Sequence, residues 1–344
     1  MGVYNFDAWR KNFGELVSAI EIKPEGTGYQ RKVRFSRFIN LPELMNMVYM
    51  FSQISDGANT SFKLPVPHRV NIAAPSVNET KAEINHLASR AEAVRHGAVM
   101  KDTDNMLKII SDGKKLGLDI RLVNSDYPDY PESKVNLCVA NIVKEYEEKT
   151  AIKGTQLIFC DQSVPKGDGI FSIYEDIREK LILNGIPSEE IRFIHEAEKD
   201  NEKIELYDSM NRGDIRVLIG STQKCSEGMN AQKRMSAIHH LTIPFRPSDL
   251  IQREGRGIRV GNLNDEIKIF SYVSEGTLDA FLYQIIESKS RFIEQVMRPG
   301  ASLERNCDDV SDATISYAEL KAIATEDPLI KDNIDTENLI ARYE

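Results

Sequence analysis

The sequence predicts an α/β protein built on a parallel sheet with helices on both faces. Two observations carry that expectation. From about residue 131, short apolar stretches alternate with amphipathic helical ones, the pattern of a parallel sheet covered on both sides. Before that point the texture is different, helical and irregular, and Tyr127-Pro128-Asp129-Tyr130-Pro131 marks the change with a proline-rich loop. No 20–50-residue repeat or low-complexity tract suggests a solenoid or a disordered linker instead.

The first segment reads as follows. Phe6 to Ile20 mixes aromatic and aliphatic residues at helical spacing, with Trp9 as a core or interface residue. Arg31 to Phe38 alternates basic and apolar residues and suits an edge strand or extended arm, whose Arg31, Lys32, Arg34 and Arg37 could also follow a phosphate backbone. Leu41 to Phe51 is a short helix, and Leu64-Pro65-Val66-Pro67 is extended by its prolines. Asn78 to His96 and Asp104 to Leu122 are amphipathic helices. Residues 1–130 are therefore expected to be mostly helical.

In the second segment, Ser133 caps a helix to Glu148 and Thr155 to Cys160 is a strand. Phe171 to Asn184 is a helix with Gly185 after it. Ile191 to His195 is a strand, Asn201 to Asn211 a helix closed by Gly213, and Ile215 to Gly220 a strand. Ala237 to Thr242 is a strand, in which one of His239 and His240 would face the core and the other a cleft. Ser248 opens a helix, Glu266 to Val273 is a strand, and Thr277 caps a long helix with one apolar side. This gives a lobe at about 131–300. The tail, 301–344, is acidic and then helical, and stops in mid-pattern as if a parent chain continued.

Composition narrows the function classes. Lys and Arg total 44 against 53 Asp and Glu, a formal net charge of −9, which argues against tight non-specific duplex binding by this chain alone. The four cysteines form no CxxC, so reduced thiols and a cytoplasmic setting are expected, without zinc or a disulfide framework. No apolar run reaches the length of a membrane span, and the first residues do not form a signal peptide.

The most specific stretch is Gln252-Arg253-Glu254-Gly255-Arg256-Gly257-Ile258-Arg259. On a helix, Arg256 and Arg259 would share a face, and planar guanidiniums contact phosphate oxygens with two donors each. Gly255 and Gly257 would let backbone approach a ligand or neighbouring lobe closely. The stretch matches Q-x-x-G-R-x-x-R, and so resembles the sixth motif of superfamily-two helicases and translocases. Val217 to Thr222 followed by Glu227-Gly228-Met229-Asn230-Ala231-Gln232 resembles the fifth motif of Swi/Snf-type motors. Gln156 to Asp161, Pro244 to Leu250 and Ile269 to Thr277 resemble the fourth motif and the segments before and after the sixth, all in order. Asn5 to Trp9, Phe38 to Met45, Asp104 to Ile109 and Ile315 to Lys321 extend the similarity over nearly the whole chain. These are similar to the large helicase-methylase proteins of phages and conjugative elements.

That resemblance implies a RecA-like helicase C-terminal lobe. Arg256 and Arg259 would be its arginine fingers, and Gln252 would support the nucleotide. Glu227, Gly228, Asn230 and Gln232 would couple ATP to DNA, and Ser221 and Thr222 would touch the DNA backbone. ATP with Mg2+ would be held mainly by a first RecA-like lobe upstream in the same polypeptide, where a DNA methylase region is also common. The strand would be DNA, with RNA as the alternative. Cys225, Ser226 and Gly257 depart from the Swi/Snf pattern, which usually has glycines at the first two positions and an isoleucine-like residue at the third. No G-x-x-x-x-G-K-[ST] and no D-E-x-H pair occur, and Asp112-Gly113-Lys114-Lys115 is not a phosphate loop. The chain is thus expected to be inactive as an ATPase alone. A non-enzymatic docking module stays open as a second reading. A methyltransferase fragment is disfavoured, because no [D/N]-P-P-[Y/F] occurs.

Overall fold

A computed structural model of the chain describes residues 5–22, 29–52, 62–100, 103–165, 170–226, 228–297 and 306–308. The chain divides into two units, one drawn from Met1–Ser61, Ile84–Ile110 and Tyr283–Glu344, the other from Phe62–Glu83 and Ser111–Leu282.

In the first unit, α1 (Phe6–Phe13) starts at Asn5, whose side chain accepts a hydrogen bond from the Ala8 amide at 2.9 Å. The helix stops at Gly14, where β1 (Gly14–Ile22) begins and pairs antiparallel with β2 (Tyr29–Ile39). Helical spacing was thus the wrong expectation beyond Phe13. Glu15-Leu16 onward can instead satisfy its backbone on β2, and tertiary pairing outweighs local propensity. Asn40, at φ 53°, turns the chain into α2 (Leu41–Tyr49) and donates to the Asn12 carbonyl at 2.9 Å. Three residues of β9 (Asn306–Asp308) extend the sheet on β2. The expected tail helix from Tyr317 lies outside the described residues.

The second unit holds a six-stranded sheet in the order β3-β8-β7-β4-β6-β5. Its strands are β3 (Val66–Ala74), β4 (Thr155–Phe159), β5 (Ile191–Phe193), β6 (Val217–Gly220), β7 (Met235–His240) and β8 (Glu266–Ser274). Every pairing is parallel. Residues 1–130 therefore contribute a full sheet strand as well as helices α3 (Asn78–Arg95) and α4 (Met106–Leu118). The prolines at 65 and 67 obscure β3 in the sequence; an edge strand tolerates them because half of its backbone groups need no ladder partner.

Alternate residues of the central strands feed two cores. Ile158 and Ile219 pack with Val135, Cys138 and Ile142 of α5 (Lys134–Glu148) and with Ile173, Tyr174 and Ile177 of α6 (Ile173–Leu183). Leu157, Phe159 and Leu218 pack on the other side with Leu206, Tyr207 and Met210 of α7 (Asp200–Arg212). This is an α/β layer arrangement, with helices on both faces of a parallel sheet. Ser133 caps α5 through the Asn136 amide at 3.2 Å, and Gly213 closes α7 at φ 82°.

Both histidines of the 239–240 pair are fully buried, so neither faces a cleft. Gln156 donates its amide to the Ile142 carbonyl at 2.9 Å, which turns its Oε1 toward His239 Nε2, also at 2.9 Å. Nε2 therefore carries the proton, and Nδ1 accepts from the Tyr272 hydroxyl at 2.9 Å. Burial pushes His239 down to about 3. His240 stacks on Phe159, its ring nitrogens without hydrogen-bond partners. Cys138, Cys160 and Cys225 are buried free thiols, each pushed up to about 12 by burial.

Candidate functional site

The C-terminal ends of the parallel strands lie along one edge of the sheet, the edge where such folds bind ligands. One cluster forms there, and a second lies after α9 (Pro247–Glu254), toward the starts of β7 and β8. The first is built around Arg253, the buried arginine of α9, which is 1% exposed. Its Nη2 reaches Asp161 Oδ2 at 2.5 Å, its Nε reaches Thr222 Oγ1 at 2.9 Å, and its Nη1 reaches the Thr242 carbonyl at 2.6 Å. Thr222 opens the short helix α8 (Thr222–Ser226). Its amide and hydroxyl both donate to the Asp161 carboxylate, at 2.6 and 2.9 Å. Three strand ends, after β4, β6 and β7, are thus locked together by one guanidinium. The guanidinium also lies over the Phe159 ring, 4.9 Å from its centroid.

The second cluster is the segment after α9. The helix ends at Glu254, and turns carry the chain from Gly255 to Val260. Arg256 and Arg259 therefore do not sit on one helical face; turns bring them together instead. Arg259 Nη1 donates to the Met229 carbonyl at 3.2 Å, and Gln232 Nε2 donates to the Val260 carbonyl at 3.3 Å. These bonds tie the segment to the 228–232 loop. Arg256 is half-buried beside Tyr207 and Cys225; burial and then the charge of Arg259 hold its pKa below the ordinary arginine value.

Other residues singled out from the sequence fall as follows. Gly228 takes φ 66° with open space where a side chain would go. Asn230 is exposed and offers its carbonyl to Asn211 Nδ2 at 2.7 Å. Gln232 Oε1 is buried without a hydrogen-bond partner. Ser221 is half-buried, its hydroxyl accepting from the Lys224 amide at 3.3 Å. Gln252 lies exposed on α9. Glu227 lies outside the described residues, as do Gly167 to Gly169, and the side chains of the 31–37 basic cluster are likewise not described. His195 is half-buried, edge-on to the Tyr174 ring.

Gly257 has a different role from the one expected. A Cβ there would lie 2.2 Å from Ile267 Cδ1 and 3.0 Å from Met235 Sδ, so the glycine admits the core and not a ligand. Cys225, one of the departures from the Swi/Snf pattern, is fully buried and packs on Gly220, where a Cβ would meet its Sγ at 2.4 Å. Reasoning from the sequence missed Arg253 and Asp161. Their signal was present: an arginine directly after Gln252, and an acid directly after an apolar strand.

Glu254 adds a link from outside these strands. Its carboxylate accepts from Arg69 of β3 at 2.5 Å and lies 3.9 Å from His240 Nε2. The last residue of α9 is thereby anchored next to the turn that carries Arg256.

Residues 137–261 match the family model of the helicase conserved C-terminal domain. The matched stretch runs from within α5 to the turns after α9, and so takes in β4 to β7 of the parallel sheet. Defense against restriction protein B of Escherichia phage P1 is 28% identical over 128 residues, covering 32% of this chain and 6% of that protein. The chain thus spans a small fraction of that relative's length. Among solved structures, the Sulfolobus solfataricus SWI2/SNF2 ATPase core domain aligns with a TM-score of 0.48 at 16% identity, over 70% of this chain and 46% of that one. The C-terminal part of the Fun30 ATPase domain aligns with a TM-score of 0.46 at 13% identity, over 80% of this chain and 99% of that one. Among the described residues, no helix is long and apolar enough to cross a membrane, and no group of three or more His, Cys, Asp or Glu side chains could hold a metal.

Proposed function

We propose that this chain supplies the finger-bearing half of an ATP-driven DNA motor. The observation that carries the reading is the convergence of Arg256, Arg259 and the 228–232 loop in the segment after α9. The pair fits a polyphosphate: burial and mutual repulsion disfavour the charge on Arg256, and an anion between the two guanidiniums would relieve both. ATP with Mg2+, held by an upstream RecA-like lobe of the same polypeptide, would bring the phosphoryl group whose transfer drives the motor.

The resemblance, together with the geometry, supports the following roles within this chain. Arg256 and Arg259 meet the charge that builds on the phosphate oxygens. Gln252, exposed on α9, supports the nucleotide. Gly228, Asn230 and Gln232 form the loop that joins the fingers to the strand-binding edge, and Glu227 completes that motif. Ser221 and Thr222 present their turn to the DNA backbone, with Thr222 held in place by Asp161 and Arg253 so that the turn is preformed. Closing and opening of two lobes around the nucleotide would then move the strand. The resemblance to helicase-methylase proteins makes a DNA methylase region a partner within the same polypeptide.

The test is DNA-stimulated ATPase activity of this chain mixed with the upstream segment of its polypeptide, comparing wild type with Arg256→Ala. A loss of about 10³-fold or more supports the finger role. Full activity in the variant removes Arg256 from that role. A folded pair of lobes with no activity would favour a docking module, the reading to which the net charge of −9 also leans.

A further inference from the structure

Beside the Arg253 cluster, at the same sheet edge, lies a pocket of about 450 Å³ whose lining includes Lys114, Thr222, Phe245, Arg246 and Asp249. Phe245 stands in the loop between β7 and α9, 48% exposed, a large apolar ring left half in water. Lys114 of α4 sets its ammonium 3.3 Å from the ring centroid, on one face. The pocket's other ionised groups are largely committed: Lys134 pairs with Asp279, and Asp161 with Arg253 and Thr222. Among the described residues, no carboxylate forms an ion pair with Lys114; it feels Asp161 and Asp279 only at longer range. Burial brings its pKa down to about 8, so an anionic ligand would strengthen its charge.

An unpaired cation, a half-open aromatic ring and an exposed arginine in one pocket are the groups a nucleotide needs. We propose that this pocket takes one nucleotide of a single-stranded nucleic acid, its base on the open face of Phe245 and its phosphate between Lys114 and Arg246. Single strands are specified because a base paired and stacked within duplex has no free face for the ring. Asp249, in the first turn of α9, offers an acceptor to an N–H on the edge of a base, such as the N3–H of thymine, and repels a second phosphate, which limits the site to one nucleotide. Lys114 lies outside the helicase-domain match at 137–261, so the site is not carried by that domain alone. The assignment rests on reading this edge as the strand-binding face, and it adds a partner residue from the segment before the domain.

The test uses fluorescence anisotropy of a labelled thymidine oligomer of about 12 nucleotides, within the usual single-strand site size. It is combined with photocross-linking of the same oligomer carrying 5-iodouracil and mapping of the adduct by mass spectrometry. The adduct is expected on Phe245, and Phe245→Leu and Lys114→Met should each weaken binding by about tenfold, the loss of one stacked base or one phosphate contact. Unchanged melting temperatures would exclude unfolding as the cause. An adduct elsewhere, or affinity unaffected by either substitution, overturns the pocket and leaves the motor reading standing. Thymidine monophosphate binding as tightly as the oligomer overturns the strand assignment. If the oligomer does not bind at low salt, the pocket is overturned, while the motor is judged separately by the Arg256→Ala comparison.

Discussion

Arg253 and Asp161 lie 92 residues apart in sequence, yet Arg253 Nη2 sits 2.5 Å from Asp161 Oδ2, with the Thr222 hydroxyl bonded to both. The arginine side chain is 1% exposed and the Asp161 carboxylate 33%, so removing Asp161 strands a charge that water cannot reach. Asp161→Ala is expected to destabilise the second unit by about 3–5 kcal/mol, the range for breaking a buried pair. Urea denaturation would measure it, and a loss below about 1 kcal/mol would show that the cluster is solvated.

Gly257 offers a sharper packing test. Ala at this position pushes a Cβ into Ile267 and Met235, and overpacking of this kind costs about 1–3 kcal/mol. Gly228→Ala, by contrast, meets no neighbour; only its φ of 66° opposes it, at about 1 kcal/mol. A thermal melt in which Gly228→Ala proved the more harmful of the two would contradict the packing described for Gly257.

The buried histidines set a pH dependence. His239 is held down to about 3, and His240 well below its ordinary value, both chiefly by burial. Unfolded histidine titrates near 6.5, so below that pH the unfolded chain takes up protons that the folded form refuses. Stability is therefore full above about pH 6.5 and falls as the pH drops, by about 1.4 kcal/mol per unit for each histidine. Denaturation series between pH 7 and 5 would show the slope. His240→Phe, which keeps the stacking on Phe159, should remove about half of it; an unchanged slope would mean that His240 titrates normally.

Lys134 and Asp279 form a second buried pair, joining the start of α5 to the first turn of α10 (Leu278–Met297). Lys134→Met alone should cost about 3–5 kcal/mol, because it leaves the Asp279 carboxylate buried without its cation. Combining it with Asp279→Leu should recover most of that loss, since two apolar groups need no compensation. Equal stability of the single and double variants would show that Asp279 simply takes up a proton, toward which burial already pushes it.

How much of this was legible beforehand follows from the kind of force involved. The central strands and helices were readable because their apolar runs and caps are local signals, as with Ser133 and Gly213. The finger segment was readable as chemistry, since Gln252, Arg256 and Arg259 occur at motif spacing, but not as conformation. Gly255 ends the helix that was expected to carry both arginines. Arg253 and Asp161 could not be paired from the sequence, because their bond depends on strand order and not on spacing. β1 and β3 were missed for the same reason: each is a strand through its partner more than through its own residues.

The parallel pairing of β3 with β8 joins Val66 to Glu266 and Ala74 to Ser274, so every partner in that ladder lies 200 residues downstream. During synthesis, β3 must wait for β8 to leave the ribosome before it has a template. Closing so long a loop is entropically costly and slow compared with forming the local α5–β4 contacts. A fragment trimmed to 137–261 would lack both strands and leave β7, every residue of which is buried in the full sheet, as a bare edge of the kind that aggregates. The smallest soluble piece of this lobe should therefore begin near residue 62 and extend past 274, well beyond the recognisable domain on both sides.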